Sequence, residues 1–285
     1  MKFAHVLARL TGAPWFITED ALVRITDLLQ ARLAAGAFNG MPGGVMPAEV
    51  DEPDDDDLPA ESPGLGVVEI NGVLGQHLSL MERMCGGVDY GDIVSKTRAF
   101  AQDPTISNIV LHTMICPGGT ATGCPEAYAA LQQIKAESGK PMLSVVTGQC
   151  CSAGYYLAAA CDSIVATESS MVGSIGTMRM VEDRSAALAS AGVKRFAITS
   201  ASMKDIGNPD RPMTDPEKAH LQAMTNYLGG LFVRDMKSAR SNIAEEVFST
   251  GLPYYAADAM RLGLIDAIVP GVDLVLGSLA EANVG

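Results

Sequence analysis

From Leu65 onward the chain alternates short apolar runs of strand length with stretches of helical character, and few folds accommodate that order. Val67, Val68 and Ile70 close on the turn pair Asn71-Gly72. Asn108–His112 runs into Gly118-Gly119, Met142–Val146 leads to Cys150-Cys151-Ser152, and Ser163–Ala166 and Val193–Ile198 are further runs of the same kind. Between and after them lie Tyr90–Ala101, stopped before Pro104, the alanine-rich Thr120–Glu137, the small-residue stretch Ser152–Ala160, and then Asp215–Ala239 and Tyr255–Leu262. Strands separated by helices cannot pair as hairpins; they pair in parallel, with the crossover helices laid on the sheet. The expectation is an α/β fold around a largely parallel sheet. With 48% hydrophobic residues in 285 the chain can bury such a core.

The N-terminal region reads differently. Ile17, Leu22, Ile25, Leu28, Leu29 and Leu33 recur at three- and four-residue steps, which predicts an N-terminal helical segment over 1–37, with Thr18 as a cap and Gly36 at its end. Residues 38–64 are dominated by Gly, Pro and acids, with Asp54–Asp57 in a row, and predict a flexible linker. The globular part is then 65–272, with a C-terminal tail over 273–285. Lys plus Arg is 20 against 33 Asp plus Glu, a net charge of −13, which argues against nucleic acid as a partner. No apolar run reaches the roughly 18 residues of a membrane span, so no membrane anchor is expected. The six cysteines, Cys85, Cys116, Cys124, Cys150, Cys151 and Cys161, match no zinc spacing and read as buried reduced thiols in a cytosolic protein.

Two strand-to-helix loops could carry chemistry. In Cys116-Pro117-Gly118-Gly119-Thr120 the glycines let backbone N–H groups approach a ligand, a phosphate or the oxyanion of an acyl intermediate, although a plain turn uses the same residues. In Gln149–Gly154 a serine, Ser152, opens a helix, either as a nucleophile or as an ordinary N-cap. The G-x-S-x-G pattern is not met, since residue 150 is Cys. A serine nucleophile needs a base. His5 lies before the linker, His112 falls in a core strand, and His77 and His220 have no marked context, so a Ser-His-Asp triad has little support; a lysine kept neutral by burial is the other option. Lys204, in Ser200-Ala-Ser-Met-Lys204-Asp-Ile-Gly207-Asn-Pro209, is the candidate, against the ordinary fate of an exposed loop lysine.

Taken together, Cys-Pro-Gly-Gly at 116–119, Cys-Ser-Ala-Gly-Tyr-Tyr at 151–156, Gly-Ser-Ile-Gly at 173–176 and Lys204 before Gly-Asn-Pro resemble, in order and spacing, the signal-peptide-peptidase-A family of Ser-Lys peptidases. Phe248–Gly251 and Gly263-Leu264-Ile265-Asp266 resemble that family's C-terminal signatures, so the likeness covers about residues 65–270. It implies the Clp-protease/crotonase fold of stacked ββα units. Arg9–Trp15 and Thr18–Ala21 resemble the openings of the phage head-maturation branch. The resemblance implies Ser152 as nucleophile, Lys204 as general base, Ser174 as the hydroxyl that orients the lysine, and the Gly119 and Ala153 N–H groups as the oxyanion hole, with no metal or organic cofactor.

Cys116 stands where the family commonly has Ser, a change expected to affect only loop packing, and Cys151 beside Ser152 is expected to point away. The partners implied are an extended protein or peptide substrate, capsid and scaffold proteins in the phage case, and further copies of the chain in a homo-oligomer. No C-terminal scaffold extension fits after Gly271, so scaffolding is expected from a separate protein. A bacterial signal-peptide-degrading peptidase, a crotonase-type acyl-CoA enzyme and a non-catalytic procapsid component are the competing readings.

Overall fold

The computed structural model describes residues 13–19, 21 and 64–282. Its strands are β1 (Trp15–Ile17), β2 (Leu65–Asn71), β3 (Val73–Gly75), β4 (Gly87–Asp89), β5 (Asn108–Cys116), β6 (Gly118–Thr120), β7 (Met142–Cys151), β8 (Ser163–Thr167), β9 (Met171–Gly173), β10 (Pro253–Tyr255) and β11 (Ala267–Val269). They form two sheets, a seven-stranded one in which β10-β9-β7-β5-β2 run side by side with β8 on β7 and β11 on β8, and a four-stranded one, β1-β6-β3-β4. Every pairing between β2, β5, β7, β8, β9 and β11 is parallel. This is the mixed α/β architecture, with a parallel sheet, that the alternation predicts.

The central strands are buried on both faces, as parallel strands under crossover helices must be. Ile109 and Leu111 of β5 face the main core, with Leu131 of the helix Cys124–Ser138, whereas Val110 faces the opposite layer with Leu65 and Val145. The helix Val272–Ala282 closes that second layer through Leu276, which is 2% exposed. Burying one leucine contributes about 1.5–3 kcal/mol. The stretch expected to trail as a tail is therefore packed on the sheet as far as this helix runs.

Two local expectations are corrected. Trp15–Ile17 is not helical but a buried strand pairing antiparallel with β6, so Ile17 belongs to a sheet rather than to an amphipathic helix face. The rest of the 1–37 helix, apart from the few residues around Thr18, and nearly all of the 38–64 linker lie outside the described residues. Val193–Ile198 is not a strand: it is irregular and exposed, and among the described residues no strand pairs with it; β-propensity without a partner strand does not hold a chain extended.

The Gly263-Leu264-Ile265-Asp266 signature has a structural role. Leu264 is fully buried, and the Asp266 carboxylate accepts from the Ile164 N–H at 2.7 Å and pairs with Arg240 at 2.8 Å. Gly263 sits at φ +79°, where a Cβ would lie 2.3 Å from the Asn242 carbonyl oxygen. Left-handed backbone costs a residue with a Cβ about 1–2 kcal/mol before any clash is counted. Gly263→Ala is expected to lower the melting temperature by about 4 °C or more, read by circular dichroism.

Candidate active site

Three parallel strands end side by side. Cys116 at the end of β5 pairs with Cys150 of β7, and Cys151 of β7 pairs with Gly173 of β9. One step further along each strand the chain leaves the sheet, at Pro117-Gly118-Gly119, at Ser152 and at Ser174. Sheet registry thus brings together the three candidate features that sequence spacing holds far apart.

Both serines are bent into a backbone conformation that L-residues avoid. Ser152 has φ +52° and ψ −113°, and Ser174 has φ +54°. Such residues cost on the order of 1–3 kcal/mol each and persist where their surroundings over-determine them. The Ser152 N–H donates to the Gly173 carbonyl at 2.7 Å, and the Ser174 N–H donates to the Leu252 carbonyl at 3.0 Å. Ser152 is 1% exposed and Ser174 9%. Ser152 stands at the N-cap of the helix Ala153–Ala158, yet its side chain makes no capping hydrogen bond. The ordinary role of a serine at this position is not the one it plays.

The glycine loop is shaped by its neighbours. β6 is squeezed between β1 and β3: a Cβ on Gly118, at φ +125°, would lie 2.0 Å from the Phe16 carbonyl oxygen, and one on Gly119 would lie 2.2 Å from that of Leu74. The buried Tyr90 hydroxyl donates to the Thr120 carbonyl at 2.7 Å and fixes the loop from below. Cys116 packs inside it, its thiol 3.8 Å from the Gly118 carbonyl, and a Cβ on Gly154 would lie 2.7 Å from its sulfur. Burial pushes the Cys116 thiol up to about 12, leaving it neutral and unreactive at ordinary pH. Cys151 is buried, and its thiol is directed at the Met171 carbonyl. Five of the six cysteines are buried as expected, but Cys85 is exposed and corrects that reading for its position. Ala153, the second candidate oxyanion donor, is fully buried at the first position of its helix.

Lys204 stands apart. Every residue from Ala191 to Lys204 is exposed, and the apolar Phe196 and Ile198 in that run are 83% and 97% exposed. Immediately beyond Lys204 the chain is anchored: Arg211 bridges Asp205 at 2.9 Å and Glu217 at 2.9 Å, and Glu217 also accepts from Thr214 in a capping box at the start of the helix Asp215–Ala239. The Arg211 guanidinium, helped by the Thr214 N–H and hydroxyl, holds the Glu217 carboxyl down at about 2. A depressed carboxylate contributes stability that is complete above its ordinary value, near 4.5, and is lost as pH falls through about 2. Glu217→Gln is expected to lower stability at pH 7, and the difference from wild type should vanish in acid melts toward pH 2.

Among the histidines, His112 accepts or donates at Thr147 at 2.9 Å, with burial holding its pKa down, and His77 and His220 are exposed. None of the three hydrogen-bonds Ser152. Among the described residues, no group of three or more His, Cys, Asp or Glu could hold a metal ion, and no helix is long and apolar enough to cross a membrane.

Sequence reasoning missed β1 and its partner Met178. Trp15 and Met178 exchange both backbone hydrogen bonds at 3.0 Å, the Thr18 N–H donates to Pro117 at 2.9 Å and the Ala121 N–H donates to Pro14 at 3.2 Å. In an antiparallel ladder bonded pairs recur at every second residue, so between these flanking pairs Phe16 and Gly119 exchange their own bonds. The signal was available in Pro14-Trp15-Phe16-Ile17-Thr18, an aromatic and β-branched run behind a proline.

The chain is similar to capsid assembly protease C of Escherichia phage lambda, with 28% identity over 74% of this chain and 48% of that protein. It is similar also to head-tail preconnector protein GP5 of Enterobacteria phage P21, with 24% identity over 78% and 44%, and to protease 4 of Salmonella typhi, with 26% identity over 74% and 33%. The chain spans about half the length or less of these curated relatives. Among solved structures, a membrane-bound stomatin-specific protease aligns with a TM-score of 0.42 and 17% identity over 75% of this chain and 83% of that one. The family model of peptidase family S49 matches residues 134–284, a span that begins before Ser152 and takes in Ser174, Lys204 and the C-terminal signatures. The chain belongs to peptidase family S49.

Proposed function

We propose that this chain is a serine endopeptidase with a Ser152–Lys204 dyad. The Lys204 amine, in its neutral form, takes the proton of the Ser152 hydroxyl as the oxygen attacks a peptide carbonyl. The Gly119 and Ala153 N–H groups receive the oxyanion, and the lysine passes the proton to the departing amine. Water then releases the acyl group from Ser152, with the same lysine as base. Ser174, on the strand end beside Ser152, orients the lysine.

The observation that carries this reading is the pair of buried serines, each held at positive φ, at adjacent strand ends in an S49 chain. Lys204 is exposed in the single copy, and a lysine base needs burial to give up its proton. We therefore infer that the 191–204 segment packs when copies of the chain assemble, covering Phe196 and Ile198 and bringing the amine to a serine. The name of the lambda relative, a capsid assembly protease, supports capsid proteins as substrates; scaffold proteins, and cleavage in the infected host's cytoplasm or inside a procapsid, complete the proposal.

The test is a fluorophosphonate probe followed by peptide mass mapping. A stoichiometric adduct on Ser152 is the expected result. An adduct on Cys151, or none in a preparation that cleaves protein, overturns the assignment.

A further inference from the structure

β1 is held as an extended peptide is held when it is added to a sheet. Backbone groups of successive residues point to opposite edges, and both edges are bonded: Trp15 to Met178, just past Gly-Ser-Ile-Gly, and Phe16 to Gly119 of the glycine loop. The side chain of Phe16 is fully buried, with ring centroids 5.8 Å from Tyr156 and 5.1 Å from Phe232, and Tyr156 and Phe232 stack on each other at 4.2 Å. Tyr156 lies one helical turn beyond Ser152, and its N–H donates to the Ser152 carbonyl. The occupied groove therefore runs alongside the proposed nucleophile.

We propose that β1 is an intramolecular occupant of the substrate groove, and that the peptides displacing it are extended segments carrying a large apolar side chain for the Phe16 pocket. The proposal rests on the reading of Ser152 and Gly119 given above. While the Gly119 N–H donates to the Phe16 carbonyl it cannot receive an oxyanion, so the described conformation is a latent one. The fit of the occupant is also incomplete. The Trp15 Nε1 and Thr18 Oγ1 atoms are buried with no hydrogen-bond partner among the described residues. Trp15 and Ile17 pack in a small cluster of their own with Val73, Met178 and Met180, apart from the main core that Phe16 enters. A segment that places one side chain in the main core and is otherwise held by a small satellite cluster and a few backbone hydrogen bonds is one that a competing strand can replace.

The full-length Trp15→Cys/Met178→Cys variant tests this. A directly bonded antiparallel pair places its Cα atoms about 5.5 Å apart, within disulfide reach. Fluorophosphonate labelling of Ser152 should be at least tenfold slower in the oxidised variant than in the same sample reduced, with wild type taken through the same oxidation as control. Equal rates overturn the proposal.

Hydrogen exchange of the Ser152→Ala chain covers the case in which the double variant does not fold, and it needs no chemistry. The peptide Gly-Thr-Val-Phe-Val-Thr-Gly should speed exchange at Trp15–Thr18 at least tenfold, while its counterpart with Asp for Phe should not. Exchange indifferent to both peptides overturns the proposal. If Ser152 takes no label in any form yet exchange still responds, the hydrolytic reading fails and the occupied groove stands.

Discussion

Ser152→Ala is expected to cut peptide hydrolysis by about 10⁴- to 10⁶-fold, the loss that follows removal of a nucleophile when binding and oxyanion contacts remain. The fold should be untouched, because the Ser152 side chain makes no capping hydrogen bond and alanine keeps the Cβ that the site already accommodates. Ser152→Gly separates chemistry from strain. It is as inactive as the alanine variant but drops the Cβ at φ +52°, which relieves about 1–2 kcal/mol of left-handed cost. Its melting temperature should therefore rise by about 2–4 °C above that of Ser152→Ala. An inactive variant that is more stable than its parent marks a residue held against its preference for the sake of activity. Equal melting temperatures for the two variants would show that the +52° turn costs nothing, and the conformational argument for Ser152 would go with it.

What could be read before any coordinates follows the range of the forces involved. The helix Asp215–Ala239 has the bounds of the helical stretch read from the sequence, because a long helix is specified by neighbours three and four residues away. β7 was legible only to Val146. It continues through Thr147-Gly148-Gln149 to Cys151 because β9 takes over from β8 as its partner there, and because Gly148 carries no Cβ, which would lie 2.3 Å from the Met114 carbonyl oxygen. Trp15–Ile17 misread as helix for the same reason in reverse: its partner, β6, lies on a distant part of the chain, and nothing local opposes the helical spacing that Ile17 begins. The site divides along this line. The identities of Ser152, Ser174 and Gly119 were visible as motifs. Their meeting depends on the Cys151–Gly173 registry, and the engagement of Gly119 by Phe16 depends on a pairing no spacing rule reports.

Lys204→Ala should lower hydrolysis by about 10³-fold, within the 10²- to 10⁴-fold contribution of a positioned base, without changing how copies associate. Lys204→Arg should not rescue it, since a guanidinium does not give up its proton near neutrality. The exposure of the 191–204 run makes a stronger claim testable. Burying Phe196 and Ile198 together is worth about 3–6 kcal/mol, enough to hold a segment that has no regular structure of its own. If that burial is against another copy, Phe196→Asp should reduce both association in sedimentation and hydrolysis, although residue 196 touches no reacting atom. Mixing Ser152→Ala with Lys204→Ala should then restore about a quarter of wild-type turnover, because random pairing of copies joins an intact serine to an intact lysine at that fraction of sites. A mixture that stays inactive while its subunits exchange would place the lysine with the serine of its own chain. A Phe196→Asp protein that remains fully active and associated would remove assembly from the mechanism and leave the exposed lysine without a route to burial.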